Sequence, residues 1–101
     1  MKLRLKYLMG IHDLIKEIKI FLKIDKGPIL LYYKYQNYYL DILNSNKDLF
    51  KAILDYNNNN SNKNMNMNIL LKIKYNNKYD DLEVIFTNYC LIDENENTST
   101  N

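Results

Sequence analysis

The sequence contains few of the residues that build catalytic or metal-binding sites. Its 101 residues include one cysteine, one histidine and no tryptophan. The single Cys90 cannot form a disulfide within the chain, and we interpret it as a small buried hydrophobic residue. One histidine, His12, one cysteine and acids scattered along the sequence provide no nucleophile–base pair and no metal-ligand spacing. We therefore predict no enzymatic activity, no cofactor and no metal ion.

Glycine and proline are also scarce, with two residues and one residue, respectively. Because Gly10 and Gly27 stand alone, the chain has no glycine-rich loop that could hold a phosphate group. Sharp turns must then rely on asparagine, which is abundant and tolerates left-handed backbone conformations.

Long apolar runs are absent too, because no stretch reaches the roughly 18 apolar residues that predict a membrane span. Basic and apolar residues interleave at the N-terminus without the apolar core of a signal peptide, so we expect a cytoplasmic or nuclear protein. Hydrophobic residues make up 47% of the chain and charged residues 26%, which is typical of one globular domain.

Charge is present but unevenly distributed. The net charge of +2 is small, so a nucleic-acid partner is not expected. Residues 1–36 carry eight Lys or Arg against three Asp or Glu, whereas residues 75–101 carry one against six. The two ends could attract each other within one chain or between chains. Our main interpretation is that the acidic end is a solvated tail.

Residues 1–8 alternate between apolar and basic side chains, which predicts a strand with one buried and one basic face. The apolar positions are Leu3, Leu5 and Tyr7, and the basic positions are Lys2, Arg4 and Lys6.

Residues 11–24 follow Gly10 and have helical spacing. Their apolar stripe consists of Ile11, Leu14, Ile15, Ile18 and Leu22. We expect this helix to end at Gly27, in the left-handed conformation that follows many helices, just before Pro28.

Residues 29–54 predict a hairpin followed by a second helix. Strands over residues 29–36 and 38–43 would join at Gln36-Asn37. Ser45 and Asp48 have the spacing of a capping box at the start of a helix. That helix places Leu49, Ala52, Ile53 and Tyr56 on one face.

The remaining residues predict a loop, two strands and a tail. Residues 57–68, NNNNSNKNMNMN, are of low complexity and predict a flexible loop. We expect strands over residues 69–75 and within residues 82–92, with a turn at 76–78 between them. Residues 93–101 are polar and acidic and predict a disordered tail.

Residues 1–92 would then form a single α+β domain, with the order β-α-β-β-α-β and an additional C-terminal strand. This is the order of a ubiquitin-like β-grasp fold, in which the first strand would lie centrally, beside residues 69–75. A split β-α-β fold of the ferredoxin type is the main topological alternative.

Three segments resemble the Phox-and-Bem (PB-one) domains, a family of ubiquitin-like protein-binding modules. DLIKEIKIFLKI from Asp13 is similar to the family's first helix, and LYYKY from Leu31 to its third strand. LDILNSNKDLFKAI from Leu40 is similar to the fourth strand and the start of the second helix. The resemblance covers residues 3–75 and makes residues 69–75 the closing strand.

The resemblance implies a binding mode, because family members pair front to back through a basic face and an acidic loop motif. Gln36 and Asn37 stand where several acids would be expected, so the acidic motif is missing here. The resemblance thus implies a basic-side-only module that binds an acidic face of another protein, which could be a related domain. The basic residues are Lys2, Arg4 and Lys6.

The family also has a hairpin before its first helix, where this chain has room for one strand. Either the sequence begins after the missing strand of that hairpin, or residues 82–92 occupy the edge of the sheet where that strand would lie.

Two other interpretations remain open. Tyr32-Tyr33-Lys34-Tyr35 and the nearby Tyr38-Tyr39 interleave aromatic and basic side chains, as in sheets that bind single-stranded nucleic acid. Alternatively, the chain is a subunit or fragment without independent activity, which includes self-association through an open sheet edge.

Overall fold

The computed structural model describes residues 1–35, 39–59 and 67–87, which form a five-stranded mixed sheet with two helices. The strands are β1 (Lys2–Leu5), β2 (Leu30–Tyr35), β3 (Tyr39–Ile42), β4 (Met67–Tyr75) and β5 (Lys78–Phe86). The helices are α1 (Ile11–Leu22) and α2 (Asn46–Asn59). The predicted α+β class is therefore confirmed.

The sheet has the strand order β1-β5-β4-β2-β3. β1 runs parallel to β5, whereas the other neighbouring pairs are antiparallel. The β4–β5 hairpin is thus the inner part of the sheet, with β1 on one side of it and β2 and β3 on the other.

A two-residue turn, Asn76-Asn77, connects β4 to β5 within the turn predicted at 76–78, and Lys78 already belongs to β5. Asn76 and Asn77 have φ angles of 49° and 60°, and a type I′ turn requires positive φ at both positions. Because this turn is so short, pairing begins at once with Tyr75 opposite Lys78. The last strand therefore begins before residue 82, where the sequence placed its start.

Alternation along the strands divides the sheet into a buried face and an open face. β4 alternates between buried and half-buried residues along its whole length. Both helices pack on the buried face, since Leu14 of α1 and Leu49 of α2 are fully buried in one core cluster with inward residues of the strands, such as Val84 and Phe86. Neither helix covers the open face.

β1 differs from its prediction in length and in position. The strand ends at Leu5, and Tyr7 is 54% exposed although the alternation placed it on the buried face. β1 also lies at the edge of the sheet beside β5, and not centrally beside residues 69–75. Those residues belong to β4, whose two sides are occupied by β5 and β2 because the tight turn brings β5 directly against it.

The C-terminus of α1 also differs from the prediction. Lys23, and not Gly27, takes the left-handed conformation that ends the helix, with φ 59°. The N–H of Lys23 donates to Ile20 O at 3.2 Å, and the N–H of Ile24 donates to Lys19 O at 2.9 Å. These bonds form a Schellman motif, and they turn Ile24 into the core, where it is 9% exposed.

The two helices are joined where they begin. Asn46 Oδ1 accepts a hydrogen bond from the N–H of Ile11 at 2.7 Å, so the first residue of α2 caps α1. Gly10 permits this contact, because a Cβ atom there would lie 2.9 Å from the same oxygen.

The N-terminus of α2 confirms the predicted cap. Ser45 Oγ accepts from the N–H of Asp48 at 3.1 Å, and the Asp48 carboxylate accepts from the N–H of Asn44 at 3.2 Å. The predicted apolar face is confirmed as well, since Leu49, Ala52 and Ile53 are buried and Tyr56 is partly buried.

α2 is longer than the sequence indicated. It continues to Asn59, and β4 begins at Met67, so both ends of the predicted loop 57–68 have regular structure. The Asn57 side chain bridges these ends, because its amide donates to Asn68 O at 2.7 Å and its oxygen accepts from Asn68 N at 3.2 Å. The predictions for the rest of that loop, for Gln36-Asn37, for Cys90 and for the tail 93–101 lie outside the described residues.

The hairpin turn can be tested with two substitutions of opposite effect. Asn77→Ala should destabilise the protein by about 1 kcal/mol, because alanine is strained at positive φ. Asn77→Gly should be neutral or stabilising, since glycine adopts this conformation without strain. Urea unfolding monitored by circular dichroism measures both, and equal effects of the two variants would contradict a type I′ turn.

The end of α1 provides a second stability test. Lys23→Gly should raise the free energy of unfolding by about 1 kcal/mol, because it removes the cost of a side chain at a left-handed position. Lys19→Gly is the matched control within the helix and should lower the free energy by about 1 kcal/mol. A loss of stability in both variants would show that Lys23 is not left-handed.

Candidate interaction surfaces

Strand β1 carries the three basic residues that the sequence predicted as a partner-binding site. Lys2, Arg4 and Lys6, here called the basic edge, are all exposed. Lys2 and Arg4 lie in β1 itself, and Lys6 follows it. The basic edge therefore lies along one side of the sheet.

The backbone of β1 is paired on one side. The N–H of Glu83 donates to Met1 O at 3.0 Å, and the N–H of Thr87 donates to Leu5 O at 2.9 Å. In a parallel pair, alternate residues bond to the neighbour, so the backbone groups of Lys2 and Arg4 point away from β5. No strand among the described residues pairs with that side of β1.

Among the described residues an ion pair joins Lys72 to Asp81 at 3.0 Å, but none involves a residue of the basic edge. Lys6 Nζ lies 5.6 Å from the centroid of the exposed Tyr7 ring, a weak cation–π contact. All three side chains are exposed, and Lys2 lies opposite Glu83 of the neighbouring strand β5.

A groove with a volume of about 620 Å³ opens at the opposite edge of the sheet, between β3 and α2. Carboxylates of Asp41, Asp48 and Asp55 line it together with the cation of Lys51, and we call it the acidic groove. The Tyr33 hydroxyl donates to Asp55 at 2.8 Å and fixes that carboxylate.

The acidic groove was not predicted from the sequence. Asp48 and Asp55 are seven residues apart, which places them on the same side of a helix, two turns from each other. That spacing was visible in the sequence, but the position of α2 against β3 was not.

The open face carries an aromatic pair between lysines. The rings of Tyr32 and Tyr79 have centroids 6.3 Å apart and are tilted by 52°. Lys72 Nζ lies 6.0 Å and Lys74 Nζ 5.6 Å from the centroid of Tyr79, which is 49% exposed. We call Tyr32, Tyr79, Lys72 and Lys74 the aromatic patch.

The aromatic patch differs from the tyrosine–lysine stretch that the sequence singled out. Tyr32 belongs to both, but Tyr33 is 5% exposed in the core and cannot stack on a ligand. The side chains of Tyr35, Tyr38 and Tyr39 lie outside the described part. The sequence did not indicate Tyr79, because its neighbours Tyr32, Lys72 and Lys74 lie in other strands.

Tyr33 and Tyr56 extend the core beside the acidic groove. Their rings meet edge to face, with centroids 6.5 Å apart and an interplanar angle of 82°. Burial raises the pKa of Tyr56 above its usual value, and the negative charge of Glu83 contributes to the same shift. This phenol is therefore neutral at physiological pH.

In residues 1–35, 39–59 and 67–87, no group of three or more His, Cys, Asp or Glu side chains is arranged to hold a metal ion. Neither α1 nor α2 combines the length and the apolar character that crossing a membrane requires. The chain matches no protein-family model, no curated protein and no solved structure.

Proposed function

We propose that this protein is a protein-binding module whose basic edge binds an acidic surface of a partner. The observation that carries the proposal is the coincidence of exposed cations and outward-facing backbone groups on β1. A partner segment could pair with the backbone of Lys2 and Arg4 while its carboxylates meet their side chains. Opposite charges would then provide specificity and rapid association.

The acidic groove makes a second copy of the chain, or a related domain, a suitable partner. The basic edge and the acidic groove lie at opposite edges of the sheet, so the edge of one copy can meet the groove of the next. Such a head-to-tail contact is heterologous and would build open chains of copies. Among the three groove acids, Asp48 accepts from the N–H of Asn44 and Asp55 from the Tyr33 hydroxyl, whereas Asp41 is exposed and forms no such bond with a described residue.

The proposal includes the PB-one resemblance and a ubiquitin-like β-grasp topology. α1 lies between β1 and β2 in the chain, the β2–β3 hairpin precedes α2, and the last strand runs parallel to β1. The sequence assigned the closing strand to residues 69–75 and the additional strand to the C-terminal segment. In this proposal the roles are exchanged, so that β5 is the closing strand and β4 the additional one. Since the single cysteine cannot form an internal disulfide, we keep a cytoplasmic or nuclear location as part of the proposal.

Charge reversal tests the basic edge. The variant Lys2→Glu/Arg4→Glu/Lys6→Glu should weaken self-association at low ionic strength by at least about tenfold, or about 1.4 kcal/mol. The control variant Lys16→Glu/Lys26→Glu/Lys47→Glu makes the same change in net charge at exposed positions and should associate like the wild type. Sedimentation velocity over a concentration series measures both.

The acidic groove provides a complementation test of the same contact. Asp41→Lys should also prevent self-association, because it reverses the charge that faces the basic edge. Mixing it with Lys2→Ala/Arg4→Ala/Lys6→Ala, whose edge carries no charge, leaves only the wild-type edge of one variant and the wild-type groove of the other as an attractive pair and should yield a heterodimer. A wild-type protein that remains monomeric, or association that survives edge reversal, would contradict head-to-tail pairing.

A further inference from the structure

We propose that the aromatic patch is a second binding surface, which takes single-stranded nucleic acid. Tyr79 would stack on a base, and Lys72 and Lys74 would contact the flanking phosphates. This surface lies on β2, β4 and β5, and it includes no residue of the basic edge or the acidic groove.

Strand register places the members of the patch together. Lys74 lies opposite Leu30 on one side and Tyr79 on the other, and Lys72 lies in the same way between Tyr32 and Asp81. Adjacent strands are about 4.8 Å apart, so the rings and ammonium groups lie within the dimensions of one or two nucleotides. The rigid hairpin therefore presents them in a fixed arrangement.

The exposure of the patch fits a ligand that has both flat rings and negative charge. Tyr79 of β5 is 49% exposed, whereas Leu30 of β2 and Ile42 of β3 are each 39% exposed on the same face and lie on the other side of β4 from Tyr79. An apolar protein partner would meet lysines between these side chains. A base between phosphates meets an aromatic surface between cations, which is the combination that single-strand binders use.

Local charge also favours a polyanion, although the net charge of the chain is only +2. Lys72 and Lys74 lie beside Asp81 and Glu83 on the open face, and the excess of cations on this face comes from Lys2 and Arg4 of the basic edge, two strands away from β4. Phosphate contacts depend on the cations near the bound strand more than on the total charge of the protein.

Oligonucleotide binding to the full chain tests the proposal directly. Fluorescence anisotropy of labelled ten-nucleotide oligo(U) RNA and oligo(dT) DNA at low salt should show binding of at least one. Tyr79→Ala should weaken it at least about fivefold, whereas Tyr79→Phe should keep it within about twofold because the ring is retained. Tighter binding of RNA would identify RNA as the ligand.

Tyr7→Ala is the matched control. Tyr7 is 54% exposed with a lysine 5.6 Å from its ring, but it lies outside the aromatic patch. Its removal should leave binding unchanged. The absence of binding at low salt, or equal losses for Tyr7→Ala and Tyr79→Ala, would overturn the proposal.

The lysines provide a readout that does not depend on the tyrosine. Lys72→Ala/Lys74→Ala should reduce the slope of log K against log salt concentration by about 1 to 2, since two phosphate contacts are lost. Lys16→Ala/Lys26→Ala should not change the slope. An unchanged slope in the patch variant would exclude these lysines as phosphate ligands.

Asp81 provides a test in the opposite direction. Its carboxylate lies 3.0 Å from Lys72 Nζ and competes with a phosphate for that cation. Asp81→Asn should therefore tighten oligonucleotide binding about threefold, because the Asp81 side chain is 61% exposed, its ion pair stabilises the fold little, and its loss frees Lys72. Asp25→Asn, at an exposed site far from β4 in the sequence, should have no comparable effect. Unchanged binding by Asp81→Asn would contradict the role of Lys72.

Self-association and oligonucleotide binding can be measured on the same variants. A Tyr79→Ala variant that loses oligonucleotide binding but still self-associates would show that the aromatic patch binds nucleic acid separately from the basic edge. An edge-reversed variant that loses self-association but still binds the oligonucleotide would show that the basic edge is the protein-binding surface. Failure of one proposal is therefore distinguishable from failure of the other.

Discussion

The register of the β4–β5 hairpin is the constraint on which the rest of the structure depends. Its two-residue turn fixes Tyr75 opposite Lys78 and all pairs that follow. Because side chains alternate with a period of two, a slip by one residue would move Leu71 and Ile73 from the core to the open face. The same slip would separate Tyr79 from its lysines. Core packing and the aromatic patch therefore depend on the same two asparagines.

Features that involve neighbours in the chain could be predicted from the sequence. The cap at Ser45 and Asp48, the apolar face of α2 and the turn at Asn76-Asn77 each depend on residues within a few positions of one another. The faces of β1 also follow from alternation, since Leu3 and Leu5 are buried while Lys2 and Arg4 are exposed. Local propensity and packing agree at these sites.

Features that depend on contacts distant in sequence could not be predicted. The acidic groove requires Asp41 of β3 to approach Asp55 of α2, and the aromatic patch requires Tyr32 to meet Tyr79. Packing also decides the end of α1, where a helix continued to Gly27 would have left Ile24 on the outer side. The left-handed Lys23 brings Ile24 into the core, so burial outweighs the preference of glycine for that position.

The two proposed surfaces are separated by charge as well as by distance. β5 lies between β1 and β4, and its Asp81 and Glu83 form a negative strip between the patch lysines and the basic edge. Two strand spacings amount to about 10 Å, which is close to the Debye length at ~0.1 M salt. An acidic partner on β1 and a nucleic acid on the patch would thus repel each other weakly at physiological salt. If both proposals hold, the sheet would bind both ligands at once, since the two proposed sites use different cations.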